Sequence, residues 1–190
     1  MPQRRAARCP GFTLVELVVY IALVGIAVAG VLMAYNSAAA DSADPIVRKQ
    51  ALAIAESLLE EIQQMPFTYC DPDDAAVSTA TSAADCAIAE AIGPEAGEKR
   101  YSTDPAVKLF DNVNDYDGYD TATEVPSGIK DLTGTPIAGL SGYNAAVTVV
   151  GAALGSVPGT DALLITVTVT GPRNVAVKLD AYRTRYAPTL

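Results

Sequence analysis

The densest group of potential metal ligands in the sequence is an acidic segment at residues 110–120, FDNVNDYDGYD. Asp115, Asp117 and Glu124 match the third, fifth and twelfth positions of an EF-hand loop, whose side-chain oxygens bind Ca²⁺. The first position of such a loop would be Val113, whose side chain cannot coordinate a metal. The segment therefore predicts a calcium site of incomplete EF-hand type, with these three carboxylates as its candidate ligands.

The alternative for the same segment is an Asx-rich turn, in which Tyr116 and Tyr119 pack on the folded domain. Since the first EF-hand ligand is missing, the sequence favours the turn. On this interpretation the chain has no resident cofactor.

Composition excludes several classes of function. The chain of 190 residues has no histidine, which removes Ser-His-Asp and Cys-His catalysis and any His-ligated metal. Its 22 acidic residues outnumber 13 Lys and Arg, and a net charge of −9 argues against binding the phosphate backbone of nucleic acids. We expect a protein that is not an enzyme and has no nucleic-acid partner.

A long apolar segment lies near the N-terminus. The 24 residues Leu17–Ala40 contain no charged side chain, and Arg4, Arg5 and Arg8 precede them. As a helix they would span roughly 36 Å, enough to cross a hydrocarbon core of about 30 Å. The basic flank predicts that the N-terminus stays in the cytoplasm and that the acidic remainder is exported. A secretory signal cleaved at Ala38-Ala39-Ala40 and a plain uncleaved anchor are the alternatives.

The residues before this segment carry a more specific signal. The sequence Gly11-Phe12-Thr13-Leu14-Val15-Glu16, with a basic leader before it and the apolar helix after it, resembles the N-terminus of type IV prepilins and type II secretion pseudopilins. The resemblance also accounts for Glu16, a carboxylate at the start of an apolar segment where an unpaired charge is costly.

This resemblance implies a processing route and a set of partners. A prepilin peptidase would cut between Gly11 and Phe12, Phe12 would be N-methylated, and Glu16 would set the register of the subunit in a filament. The expected partners are major and minor pilins that contact the N-terminal helix, the inner-membrane assembly platform, and membrane lipid before assembly. Residues 1–11 would be the leader, residues 12–40 the transmembrane and assembly helix, and residues 41–190 a periplasmic head.

The head is predicted to begin with a second helical segment. Asp44-Pro45 is expected to interrupt or kink the helix, and a new amphipathic helix is expected over Ile46–Met65. The apolar residues of that segment recur at helical spacing on one face; they are Ala51, Ile54, Ala55, Leu58, Ile62 and Met65.

The rest of the head is predicted to be loops followed by a sheet. Residues 66–142 are rich in Gly, Pro and short polar residues, which is typical of loops. Tyr143–Gly151, Asp161–Thr170 and Asn174–Tyr186 are rich in β-branched residues and alternate between apolar and polar. The predicted fold is α+β and pilin-like: a long N-terminal helix, half membrane-spanning and half amphipathic, packed on a small antiparallel sheet.

One disulfide is predicted in the head. Cys9 would be removed with the leader, which leaves Cys70 and Cys86 as an even pair in an oxidising compartment. Two free thiols are the alternative.

Several segments of the head resemble minor pilins of mannose-sensitive-haemagglutinin-type (MSHA-type) pili: AESLLEEIQQMPF, FDNVNDYDGY, PIAGLSGY and YRTRY. This resemblance implies a low-abundance subunit of the inner membrane and later of the extracellular pilus, with roles in initiation or the tip complex and in adhesion. A type II secretion pseudopilin is the nearest alternative. An exported module that binds calcium or a surface through residues 111–124 is the alternative of another class.

Overall fold

The computed structural model describes residues 12–185, and within residues 37–44 only the backbone. The contacts divide the chain into two compact units, Met1–Pro45 and Ile46–Leu190. The elements are a helix α1 at Leu14–Gln64 and three strands, β1 at Asn144–Gly151, β2 at Ala162–Thr170 and β3 at Ala176–Thr184. The predicted leader and Tyr186, the last residue of the third predicted strand, lie outside the described residues.

The helix is not interrupted at Asp44-Pro45, so that half of the prediction is wrong, and a kink there stays a prediction. Helix α1 runs for 51 residues and contains Pro45. Proline in a helix interior removes one backbone hydrogen bond and its ring crowds the preceding turn, which kinks or breaks a helix, and α1 is not broken here. The helix ends at Gln64, one residue before the predicted end, because Pro66 disfavours the helical conformation of Met65.

The strands form one antiparallel sheet in the order β1-β2-β3, with β2 in the centre. Val147 lies opposite Val167, and Val167 lies opposite Leu179. The predicted strands are confirmed, and their ends agree with the prediction to within two residues. Gly171-Pro172-Arg173-Asn174 connects β2 to β3 as predicted, and Gly171 N donates to Val175 O at 2.8 Å.

The described residues of the second unit form a hydrophobic core between the C-terminal part of α1 and one face of the sheet. Alternation places the apolar side chains of β1 and β2 on that face; the buried ones include Val147, Val149, Leu163, Ile165, Val167 and Val169. The helix contributes Ala51, Ala55, Leu58 and Ile62, spaced three or four residues apart. The predicted α+β fold is therefore confirmed.

Residues 66–142 connect helix and sheet through turns, isolated β-bridges and two short 3₁₀ helices at Ala83–Asp85 and Val113–Tyr116. A buried ion pair ties this connection to α1. Arg100 donates from Nε and Nη2 to the carboxylate of Glu61, at 2.8 and 2.6 Å, and Tyr116 donates its hydroxyl to the same carboxylate at 2.8 Å. The pair fixes the connecting segment against the helix.

Candidate functional site

The first candidate site is the start of α1, where the sequence predicts processing and assembly. Gly11 lies outside the described residues, whereas Phe12 is described and is 82% exposed. Thr13 caps the helix: its Oγ1 accepts from Glu16 N at 3.3 Å, and its carbonyl oxygen accepts from Leu17 N at 3.1 Å. Thr and Glu three residues apart at a helix start form the capping-box pattern. The contact with Thr13 is made by the backbone N–H of Glu16 and not by its carboxylate, so it does not test the predicted register role.

The surface that follows Glu16 is apolar and exposed. Leu14–Asn36 is a helical segment of 23 residues with a mean hydropathy of 2.7, none of it buried. Its length corresponds to about 35 Å, sufficient to span a hydrocarbon core of about 30 Å. At Gly25 and Gly30, apart from the adjacent residues and the backbone of the same helical turns, no described atom lies within 4 Å of the position that a Cβ would occupy. The segment thus has the length and surface of a membrane helix, with room for a second helix to approach closely.

The three carboxylates predicted to bind calcium have different partners. Asp115 Oδ2 accepts from the backbone N–H groups of Asp111 and Asn112 at 2.9 and 2.7 Å, and Asp117 Oδ1 accepts from Val149 N at 2.8 Å. Within residues 12–185, Asp117 belongs to no group of three carboxylates whose oxygens lie within 4.8 Å of one another.

Glu124, the third candidate, also belongs to no such group of three carboxylates in the described part of the chain. Its Oε2 accepts from Lys130 Nζ at 2.9 Å and from the hydroxyl of Tyr101. The structure does not bring the three predicted ligands together, so calcium binding by this particular set stays a prediction.

The segment around Asp115 has the features of the predicted turn. Asn112 caps the 3₁₀ helix through its side chain, and Tyr116 and Tyr119 are buried in the core. Phe110 makes an edge-to-face contact with Tyr116, with ring centroids 5.1 Å apart.

A larger group of carboxylates, which the sequence analysis missed, lies beside this turn. We call it the carboxylate cluster. It consists of seven residues from three loop segments: Asp71, Asp73, Glu90, Glu95, Glu98, Asp111 and Asp115. No spacing rule identifies it, because its members are brought together from positions up to 44 residues apart. The only local signal is the density of acidic residues.

The disulfide holds two of these segments together. Cys70 and Cys86 are bonded, as predicted, with Cα atoms 5.3 Å apart. Close to the bond, Asp71 N donates to Ile88 O at 3.1 Å and Glu90 N donates to Tyr69 O at 3.0 Å. The residues after Cys70 and those after Cys86 therefore enter the carboxylate cluster from two adjacent segments of the chain.

Burial and mutual repulsion raise the pKa values of several carboxyl groups in the cluster. Burial, followed by repulsion from Asp115, raises the pKa of Glu90 to about 8. Burial also raises the pKa of Glu98 to about 8, with a further contribution from its hydrogen bond with Glu95. For Asp115, burial outweighs its backbone hydrogen bonds and raises the pKa to about 6. The charged forms are therefore poorly compensated by the protein alone.

Comparison with known proteins bears on the N-terminal site. Residues 7–32 match the family model described as the prokaryotic N-terminal methylation motif. No curated protein and no solved structure matches the chain. The motif implies processing by a prepilin peptidase and assembly with other pilins, and together with the apolar helix it indicates membrane anchoring and a pilus. The matched segment thus supports a type IV pilin-like or pseudopilin subunit, which is a structural role.

Proposed function

We propose that this chain is a non-catalytic minor pilin of an MSHA-like type IV pilus, of the MshD kind. It polymerises through its N-terminal helix, contributes to the initiation or tip complex, and presents its head outward, where it serves adhesion. The observation that carries the proposal is the exposed apolar surface of Leu14–Asn36, with Glu16 as its one acidic residue and the methylation motif across its start.

The chemistry of processing explains why Glu16 is retained. Hydrolysis of the Gly11–Phe12 peptide bond consumes one water and leaves a carboxylate on Gly11 and an amine on Phe12. Methyl transfer from a methyl donor then replaces one N–H of that amine with N–CH₃, and the amine remains a base that can carry a positive charge. In a bundle of subunits, this cation can pair with Glu16 of a neighbour.

That pairing favours one register over the others. An unpaired carboxylate costs about 2.5–3.5 kcal/mol at the centre of a bilayer on insertion scales, which is an upper bound for Glu16 near the start of the apolar helix. One axial position of the neighbouring helix relieves this cost, and a shift by one helical turn, about 5.4 Å, restores it. On this proposal the subunit is inserted with its N-terminus in the cytoplasm and its head in the periplasm, and the assembly platform transfers it from the inner membrane to the pilus.

Mass spectrometry of the N-terminal peptide of the native protein tests the processing step. We expect a mature chain that starts with N-methyl-Phe12. A chain that starts at Asp41 would show that the segment is a secretory signal, and a chain that retains its leader would show that it is a plain anchor.

Substitution of Glu16 tests the assembly step. Glu16→Gln removes the charge and preserves the capping-box pattern, since glutamine serves at that position as well as glutamate does. We expect this variant to be inserted in the membrane and lost from pili, whereas the control Glu56→Gln, on the exposed side of the same helix, is incorporated normally. Normal incorporation of the Glu16→Gln subunit would contradict pairing through this carboxylate.

A type II secretion pseudopilin shares the N-terminal motif and is the alternative. A strain without this chain distinguishes the two functions. Loss of surface pili with normal protein secretion supports the proposed pilin, and loss of secretion with normal pili supports the pseudopilin.

A further inference from the structure

The carboxylate cluster has an arrangement that hydrogen bonding within the head does not explain. Glu95, Glu98 and Asp71 each place an oxygen within 4.8 Å of the other two, and so do Glu95, Glu90 and Asp115. Glu95 is therefore shared by two carboxylate triads that meet inside the loop region.

The spacing of each triad fits a hard cation. Ca²⁺ binds oxygens at about 2.3–2.6 Å, so two oxygens on the same ion lie no more than about 5 Å apart. Ca²⁺ accepts six to eight oxygen ligands in variable geometry, which suits carboxylates from several loops, whereas Mg²⁺ requires a near-ideal octahedron and keeps several waters.

Buried oxygens without partners point to the same site independently. Glu98 is 8% exposed and Asp115 is fully buried. Yet Glu98 Oε1 and Asp115 Oδ1 have no hydrogen-bond partner among the described residues, and neither does Glu90 Oε2. A buried carboxylate oxygen without a partner is costly and is ordinarily paired or bound to a metal.

A buried amide, its oxygen unpartnered among the described residues, lies beside them. Asn114 is buried, and its Oδ1 also has no hydrogen-bond partner within the described part of the chain. Its Nδ2 donates to Glu90 Oε1 at 2.8 Å, which places the amide against one triad. Amide oxygens are ordinary calcium ligands.

The cations around the cluster compensate only part of its charge. Lys108 Nζ lies 2.5 Å from Asp73 Oδ2, and both side chains are about half exposed, so this pair is at the edge of the cluster. Arg185 is within electrostatic range of Glu90. Within the described part of the chain, the cations Lys108 and Arg185 thus balance only part of the charge that seven carboxyl groups can carry, which favours a divalent cation.

We propose that the carboxylate cluster binds calcium at these two triads, with Glu95 as the ligand they share, Glu98 as a buried ligand of the first and Asp115 as the buried ligand of the second. Asp71 and Glu90 complete the two triads. The site shares Asp115 with the set predicted from the EF-hand spacing and replaces Asp117 and Glu124 with residues from other loops. It does not depend on the proposed function, because it lies wholly within the head.

Calcium binding to the full chain in detergent micelles tests the proposal. After treatment with EDTA, the chain is titrated with CaCl₂ by calorimetry, and its thermal unfolding is followed with and without Ca²⁺. We expect saturable binding with a Kd no weaker than about 1 mM, the range of extracellular calcium modules, and a midpoint of unfolding that rises with the Ca²⁺ concentration. MgCl₂ at equal concentration should have a smaller effect.

Three variants locate the site. Glu95→Gln removes one charge of the shared ligand at nearly constant volume and should weaken binding by at least about tenfold, since even the outer partners of metal ligands contribute that much. The control Glu56→Gln removes one charge from an exposed helical position and should bind as the wild type does. Asp117→Asn disrupts the EF-hand-type set, preserves the acceptor for Val149 N, and should also bind normally.

Absence of binding heat together with an unchanged midpoint in the wild type would overturn the proposal. So would normal binding by Glu95→Gln, or loss of binding in Asp117→Asn alone. If Glu95→Gln fails to fold, Glu98→Gln takes its place and must show the same loss. Tb³⁺ emission excited through tyrosine gives a readout that does not depend on stability: we expect emission from the wild type that Ca²⁺ displaces, and its absence would refute the site.

Discussion

The ion pair between Glu61 and Arg100 provides the clearest stability prediction for the head. The side chains are 19% and 10% exposed, and Glu61→Ala would leave the guanidinium in a largely buried position without its carboxylate. Removal of one partner of a buried pair costs about 3–5 kcal/mol, and the residual exposure favours the lower end of that range. The hydroxyl of Tyr116 loses its acceptor as well, which adds about 1 kcal/mol.

The expected destabilisation is therefore about 3–4 kcal/mol. For a unit of this size, each kcal/mol lowers the midpoint of thermal unfolding by about 2–4 °C, so the shift should be about 6–16 °C. Unfolding of the full chain in detergent, followed by tyrosine fluorescence, measures it. The matched control is Glu56→Ala, an exposed glutamate of the same helix, which should change the midpoint by less than about 2 °C.

A double replacement separates the buried charge from the lost contact. Glu61→Met with Arg100→Met removes both charges and fills similar volume, so the double variant should be considerably more stable than Glu61→Ala. If Glu61→Ala unfolds within 2 °C of the wild type, or if the double variant is the less stable one, the pair does not hold the loop region to the helix as described.

Three further results are expected from stability and titration measurements. Replacement of Cys70 and Cys86 by serine should destabilise the head by about 3 kcal/mol relative to the oxidised wild type in thermal unfolding, and the reduced wild type should be as unstable as the variant. Gly151→Ala should cost about 1–3 kcal/mol, because its Cβ would lie 2.7 Å from a backbone carbonyl oxygen that cannot move aside; an unchanged midpoint would contradict this packing. The Thr166 hydroxyl donates to Asp180 at 2.6 Å and lowers the pKa of that carboxyl, so the stability it contributes is present above pH 4 and is lost as the pH falls through the lowered pKa. Carbon-detected NMR should find the midpoint below 3.8, and Thr166→Val should raise it.

The fold was predictable because its elements follow short-range patterns. Two patterns repeat within a few residues: the helical face of Ala51, Ala55, Leu58 and Ile62, and the alternation along β2. Each pattern predicts which side chains are buried. The predicted interruption at Pro45 was wrong because an interior proline removes a hydrogen bond and crowds the preceding turn without always ending the helix, whereas the predicted kink stays a prediction.

The arrangement of the loop region was not predictable in the same way. Glu61 and Arg100 are 39 residues apart, and no periodicity relates them. The EF-hand spacing identified Asp115 as an acidic residue of interest, but it assigned partners by sequence proximity, whereas the folded chain surrounds Asp115 with carboxylates from segments that the disulfide brings together. Such groupings depend on the path of loops, which local sequence does not determine.

The role of the N-terminal helix in assembly and the binding of Ca²⁺ by the carboxylate cluster can therefore be tested separately. Assembly depends on Glu16 and the processed end of Phe12, which lie in the first unit, and cation binding depends on residues of the second unit. A Glu95→Gln subunit that is still incorporated into pili would show that the ion serves the head rather than polymerisation. A Glu16→Gln subunit that still binds Ca²⁺ would show that Glu16 serves polymerisation and not cation binding, because pairing in the membrane and coordination in the head involve different charges.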